Sequence, residues 1–119
     1  MNHHIKLSQL LSELKQEYIA AFPVKIEKLK AFTAARDWAN LSEEYHKLKG
    51  NGKTYGLPEV SILCEQLELI ALKKDTQKMM LFEHAITLLE RMHKSYLSGD
   101  SFDLEKDPIA KSILSLKMK

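Results

Sequence analysis

Apolar residues recur every three or four positions along most of this chain, which is the spacing that lines one face of an α-helix. Short polar or glycine-containing stretches separate the apolar runs and mark where each helix ends. The pattern predicts five helical segments, at about Lys6 to Tyr18, Phe22 to Thr33, Trp38 to Tyr55, Pro58 to Ala71 and Asp75 to Tyr96. Pro23 and Pro58 lie near the starts of two segments, where proline is tolerated. The sequence therefore predicts an all-α protein.

Four of the predicted helices are long and are joined by short connections. This arrangement is typical of an antiparallel up-and-down four-helix bundle. The first segment is then expected to form a short N-terminal extra helix that covers one end of the bundle. We place the folded domain at residues 1–98 and a C-terminal tail at residues 99–119. A short basic helix that follows Asp107 and Pro108 is expected in this tail, either docked or frayed.

Composition narrows the class of protein. The chain has 119 residues, of which 45% are hydrophobic and 29% charged, as in a single globular domain. Its net charge of +2 is too small to indicate nucleic-acid binding, and no apolar run is long enough to span a membrane. Cys64 is the single cysteine, so an internal disulfide is excluded. We expect a cytoplasmic protein, a monomer, with no nucleic-acid or membrane partner.

Three glycines interrupt the third predicted helix within the segment YHKLKGNGKTYG. Each weakens a helix interior by about 1 kcal/mol relative to alanine, so their presence needs a reason. Gly52 falls on the apolar stripe, where it would allow close packing of a neighbouring helix. Gly56 stands where it would end the helix. Gly50 lies on the polar side of the helix, so neither helix packing nor helix termination explains it.

His46 shares that polar side. A helical wheel places it roughly 130° from the centre of the apolar stripe, so its imidazole is expected to be exposed. Lys49 and Gly50 follow at the third and fourth positions after it, on the same side of the helix. A glycine one turn from a nucleophile lets a macromolecule approach the imidazole, and a nearby ammonium group favours a phosphoryl group.

This segment resembles the core pattern of the histidine-containing phosphotransfer (HPt) family, His-x-x-Lys-Gly followed six residues later by glycine. The flanking stretches DWANLSEEYHKLKG and LPEVSILCEQLE are also similar to the family, over about Tyr18 to Tyr96. The resemblance implies a four-helix bundle that carries a phosphoryl group on one exposed histidine. The group passes to or from an aspartate of a response-regulator receiver domain, with a hybrid histidine kinase as a further partner. The chain would have no cofactor of its own, and Mg²⁺ would belong to the receiver.

The resemblance also implies roles for individual residues. His46 would accept the phosphoryl group, Lys49 would help to hold its oxygens, and Gly50 would give the partner clearance. Many members of the family have a glutamine or glutamate 22 residues after the histidine, and here that residue is Glu68. Glu68 would accept a hydrogen bond from Nδ1–H of His46 and leave the Nε2 lone pair facing solvent. The chain would be a phosphoryl carrier, not an ATP-using kinase.

Two residues depart from the family pattern. Tyr45 stands where a small residue is frequent, and Asn51 stands where serine or alanine is common. Both are expected to alter the choice of partner without removing the acceptor. Docking is expected to use apolar residues near the site that fall off the main stripe, for which Ile62, Leu69 and Leu72 are the candidates.

Two alternatives stay open at the level of sequence. One is a small module that keeps the HPt shape but only binds. The other is a di-iron carboxylate bundle, since Glu43-x-x-His46 and Glu90-x-x-His93 have the spacing of such ligands. The di-iron ligands would have to point inward, whereas Glu43 and His46 lie off the apolar stripe. His93 and His84 are interpreted as structural or surface residues.

Overall fold

A computed structural model describes the backbone of residues 3–116 and the side chains of residues 6–116. This part of the chain contains no strand, which confirms the all-α class. Two short 3₁₀ turns, Thr76–Lys78 and Leu104–Lys106, precede the last two helices. The five helices are α1 (His3–Ala34), α2 (Trp38–Thr54), α3 (Pro58–Leu72), α4 (Met79–Leu97) and α5 (Pro108–Ser115).

The apolar stripes predicted from the sequence meet in one core, so the helices form a bundle. Phe22 of α1, Leu41 of α2, Leu67 of α3 and Phe82 of α4 are all buried there. Burying a side chain of this size contributes about 1.5–3 kcal/mol, so these contacts are the main source of stability. In the described part of the chain, no helix is both long and apolar enough to cross a membrane.

The separate N-terminal helix expected from the sequence is wrong, because the first two predicted segments form one continuous helix. α1 runs for 32 residues and contains Pro23 in its interior. Proline has no backbone N–H, so it leaves the carbonyl group four residues earlier without its helical donor. That carbonyl belongs to the buried residue Ile19, and Nε2–H of His93 donates to it at 3.0 Å. A side chain from α4 thus supplies the hydrogen bond that Pro23 removes.

α2 and α3 run antiparallel and pack closely at Gly52. A Cβ atom on Gly52 would lie only 2.9 Å from Cβ of Val60 and 3.0 Å from the backbone nitrogen of Ser61. Gly56 ends the helix with a positive φ of 80°, and the Leu57 N–H donates to the Gly52 carbonyl at 2.8 Å. This is a Schellman ending, in which the reversal of the chain satisfies the last carbonyl groups of α2. The roles predicted for Gly52 and Gly56 are confirmed.

The C-terminal tail contains a helix that packs on the bundle. Ala110 and Ile113 of α5 are buried, and the helix contacts α3 and α4. Asp107 begins the helix by accepting a hydrogen bond from the Ala110 N–H at 2.9 Å. The same buried carboxylate lies 2.8 Å from Nη1 of Arg91 on α4. An N-cap and an ion pair therefore hold the start of α5 against the bundle.

Candidate functional site

His46 projects from α2 into solvent, with 64% of its side chain exposed. Its neighbours Tyr45 and Leu48 point into the core, so the apolar stripe of α2 fixes the outward direction of the imidazole. Nδ1 of His46 lies 2.9 Å from Oε2 of Glu68 on α3. A carboxylate oxygen can only accept, so Nδ1 carries a proton, and in the neutral form of the imidazole the lone pair is on Nε2.

The carboxylate of Glu68 contacts both His46 and Lys49 on the polar side of α2. While Oε2 accepts from His46, Oε1 accepts from Nζ of Lys49 at 2.8 Å. Burial of this carboxyl, which is 14% exposed, would raise the pKa of Glu68. The hydrogen bonds from Lys49 and then His46 outweigh that effect and lower the pKa below its usual value. The carboxylate therefore stays charged at neutral pH and fixes the imidazole.

Lys49 keeps donor capacity for another anion. An ammonium group has three N–H donors, and one of them is directed at Glu68. The Lys49 side chain is about a third exposed, so its remaining donors can reach a group that arrives from solvent. The backbone carbonyl of Lys49 accepts a hydrogen bond from the Ser61 hydroxyl of α3. This contact ties the two helices together beside the site and limits how far the lysine can move.

Gly50 opens the surface one helical turn after His46. A Cβ atom placed on it would meet no heavy atom within 4 Å. The glycine is therefore not required by packing within the chain, in contrast to Gly52. Its absent side chain leaves free volume on the side of α2 that carries the imidazole.

Apolar side chains and a groove adjoin the site. Ile62, Leu69 and Leu72 of α3 are all exposed, as the docking interpretation requires. A groove of about 320 Å³ lies between α2, α3 and α5, and Lys49, Lys53, Ile62 and Leu114 are among its lining residues. The sequence does not predict a place for Leu114 beside the site, because the amphipathic pattern of the tail does not show which helix it packs against.

The side chain of Tyr45, one of the two departures from the family pattern, is fully buried. Its expected effect on the choice of partner would therefore be indirect, because it cannot contact a docking partner. Burial raises the pKa of its phenol, and the hydroxyl has no hydrogen-bond partner in the protein. Asn51 is half-buried and lines a cleft with Tyr18 and Tyr55 between α1 and α2.

The residues of the di-iron alternative do not converge. Glu43 and His46 face solvent, whereas Glu90 pairs with Lys30 at 3.1 Å and His93 donates to a backbone carbonyl. Among the residues that the structure describes, no group of three or more histidine, cysteine, aspartate or glutamate side chains is placed to hold a metal ion. His84 is exposed on α4, and His93 is a structural residue.

The family model for the Hpt domain matches this chain over residues 13–99. The match spans most of the chain and includes the helices that carry His46, Lys49, Gly50 and Glu68. Neither the curated proteins nor the solved structures contain a significant match to this chain.

Proposed function

Because the chain belongs to the Hpt domain family, we propose that it is a phosphorelay protein that carries a phosphoryl group on His46. The group would pass to or from an aspartate of a response-regulator receiver domain. One observation carries the proposal: an exposed imidazole whose Nδ1–H is bound by a charged carboxylate and whose Nε2 is directed away from it. That arrangement supplies a nucleophile that needs no further base.

The phosphoryl transfer needs only the two partners, the imidazole of His46 and the aspartyl phosphate of the receiver. The Nε2 lone pair of His46 attacks phosphorus in line, and an N–P bond forms while the P–O bond to the aspartyl carboxylate breaks. The aspartate leaves as a carboxylate, and no electron or proton has to be supplied from outside. The imidazole ring gains positive charge as the bond forms. Glu68 stabilises that charge through its hydrogen bond to Nδ1–H.

Lys49 and Gly50 would serve the incoming phosphoryl group and its carrier. Lys49 would donate to the phosphoryl oxygens while it keeps its contact with Glu68, since an ammonium group can serve both. Gly50 would let the surface around the receiver's aspartate approach His46 without a steric clash. Ile62, Leu69 and Leu72 would add apolar contact area for docking.

The partner would supply the rest of the chemistry. We expect Mg²⁺ to be held by acidic residues of the receiver domain, where it would stabilise charge on the aspartyl phosphate. We expect no ATP site or cofactor on this chain, which would act as a carrier between a hybrid histidine kinase and a response regulator. We also expect the exchange to take place in the cytoplasm.

The test is phosphoryl transfer from a receiver domain phosphorylated on aspartate, with Mg²⁺ and without ATP. Acid-labile, alkali-stable label is expected on the wild-type chain and on His84→Gln, an exposed histidine elsewhere on the surface. No label is expected on His46→Gln. Label on His46→Gln would show that a residue other than His46 accepts the phosphoryl group. If the wild type stays unlabelled by several receivers but still binds one of them, the function is that of a binding-only module.

A further inference from the structure

The N-terminal part of α1 carries an apolar face that the bundle does not use. Leu7, Leu10 and Leu11 are 54%, 50% and 53% exposed, and the half-buried Leu14 continues the same stripe. We call these four residues the leucine face. Their spacing places them on one side of the helix within about two turns. Single exposed leucines are ordinary, but a contiguous cluster of this kind marks an interaction surface.

The leucine face is exposed because α1 is longer than the helices beside it. Its 32 residues span about 48 Å, whereas the 17 residues of α2 span about 26 Å. The first turns of α1 therefore run past the end of the bundle. α5, another amphipathic helix of the described chain, already buries Ala110 and Ile113 against the bundle. Within residues 3–116, no element packs over the leucine face.

We infer that the leucine face binds the same face of a second copy of this chain, with the two α1 helices antiparallel. The complementary charges of Lys6 and Glu13 beside the leucine face favour a second copy as the partner. When Leu7 of one copy lies against Leu10 of the other, the seam positions pair as in an antiparallel coiled coil. Lys6 of one copy then lies beside Glu13 of the second copy, and the twofold axis repeats the pair. A parallel arrangement brings neither residue beside an opposite charge.

The expected dimer is reversible. Two short helical faces bury less than the roughly 1,600 Å² of a standard interface, so a dissociation constant on the order of micromolar is expected. The leucines would supply most of the affinity, because exposed ion pairs contribute about 0–1 kcal/mol and mainly fix orientation. The site is on α2 and α3, so His46 would stay accessible in the dimer. This inference departs from the monomer expected from the sequence.

Sedimentation of the full chain over a wide range of concentrations tests the inference. The wild type is expected to pass from monomer to dimer as its concentration rises. Leu10→Glu should weaken the dimer by about 100-fold or more, because it would bury a carboxylate in the apolar seam. Met80→Glu is the matched control, since Met80 is an exposed apolar residue on α4, and it should dimerise like the wild type. Thermal unfolding checks that both variants fold.

Charge reversal tests the orientation and the identity of the occupant. Glu13→Lys should weaken the dimer by several-fold, and adding Lys6→Glu to the same chain should restore it. A wild type that stays monomeric at every concentration overturns the inference. So does a dimer that survives Leu10→Glu, because its interface then lies elsewhere. A double variant no tighter than Glu13→Lys alone overturns the antiparallel pairing.

Discussion

His93 donates its Nε2–H to the carbonyl oxygen of Ile19, at 3.0 Å, in the place of the backbone donor that Pro23 lacks. The imidazole also stacks on Phe22, with ring centroids 6.0 Å apart and an angle of 15° between the planes. A proline that would ordinarily break a helix is therefore accommodated by a side chain from another helix. α1 thus continues through Pro23 without leaving the Ile19 carbonyl unsatisfied.

The coupling between His93 and Pro23 can be measured. His93→Leu is expected to lower the free energy of unfolding by about 1–3 kcal/mol, because it leaves the buried Ile19 carbonyl without a donor. In a Pro23→Ala background, position 23 has a backbone N–H that can donate to the Ile19 carbonyl. His93→Leu should therefore lower the free energy of unfolding less in that background. Urea unfolding of the four proteins gives the coupling energy. Equal losses in both backgrounds would mean that His93 acts only through its stacking on Phe22.

Gly50 and Gly52 provide a matched pair on one helix. Gly52→Ala is expected to destabilise the protein, because the new Cβ would lie 2.9 Å from Val60 and 3.0 Å from the backbone of Ser61. Gly50→Ala should instead stabilise it by about 1 kcal/mol, since the new methyl group meets nothing and alanine favours helix. Thermal unfolding of the two variants measures the difference. Similar changes in both would show that the contact at Gly52 relaxes easily.

The lowered pKa of Glu68 implies that the free energy of unfolding depends on pH in the acidic range. Its pKa is lowered in the folded protein, so the charged carboxylate stabilises the fold above the unfolded pKa of about 4.3. That contribution is lost as the pH falls through the lower pKa of the folded state. Wild type should therefore lose more stability than Glu68→Gln as the pH falls from neutral into this acidic range. The comparison is made by urea unfolding at several pH values, and parallel curves for the two proteins would contradict it.

We predict that substituting Tyr45, the residue before His46, by phenylalanine stabilises the protein. Tyr45→Phe removes a buried hydroxyl that has no partner in the protein, so the free energy of unfolding should rise by about 1 kcal/mol or more. Tyr96→Phe is the control, because the Tyr96 hydroxyl donates to Oε2 of Glu59 at 2.8 Å. That variant should be less stable than the wild type. Thermal unfolding distinguishes the two, and a destabilised Tyr45→Phe would reveal a hydrogen bond to buried water.

The sequence was sufficient to predict much of the site because its residues obey local helical geometry. The stripe from Trp38 to Tyr55 fixes the rotation of α2, which places His46 outside and Gly52 inside. The structure then shows Glu68 within hydrogen-bond distance of His46. The simultaneous contact of Glu68 with Lys49 depends on the separation of α2 and α3, which periodicity does not determine.

Other features depend on contacts between residues far apart in the chain. The carbonyl group that Pro23 leaves without a helical donor is satisfied from α4, and no local signal at the proline reveals this contact. Local rules therefore predicted a break that tertiary structure removes. Similarly, the spacing of Leu41, Tyr45 and Leu48 predicts that Tyr45 faces inward, but only the packed core shows that its hydroxyl has no partner.

The close contact of α2 with α3 has a consequence for how the site forms and is lost. His46 and Glu68 are only 22 positions apart, and their helices are joined by the short connection Tyr55–Leu57. Bringing such near neighbours together restricts few backbone torsions, so this pair of helices is expected to assemble early. It is also the most extensively packed pair of helices. Its amides should exchange with deuterium more slowly than those of the overhanging start of α1, so fraying there would leave the acceptor in place.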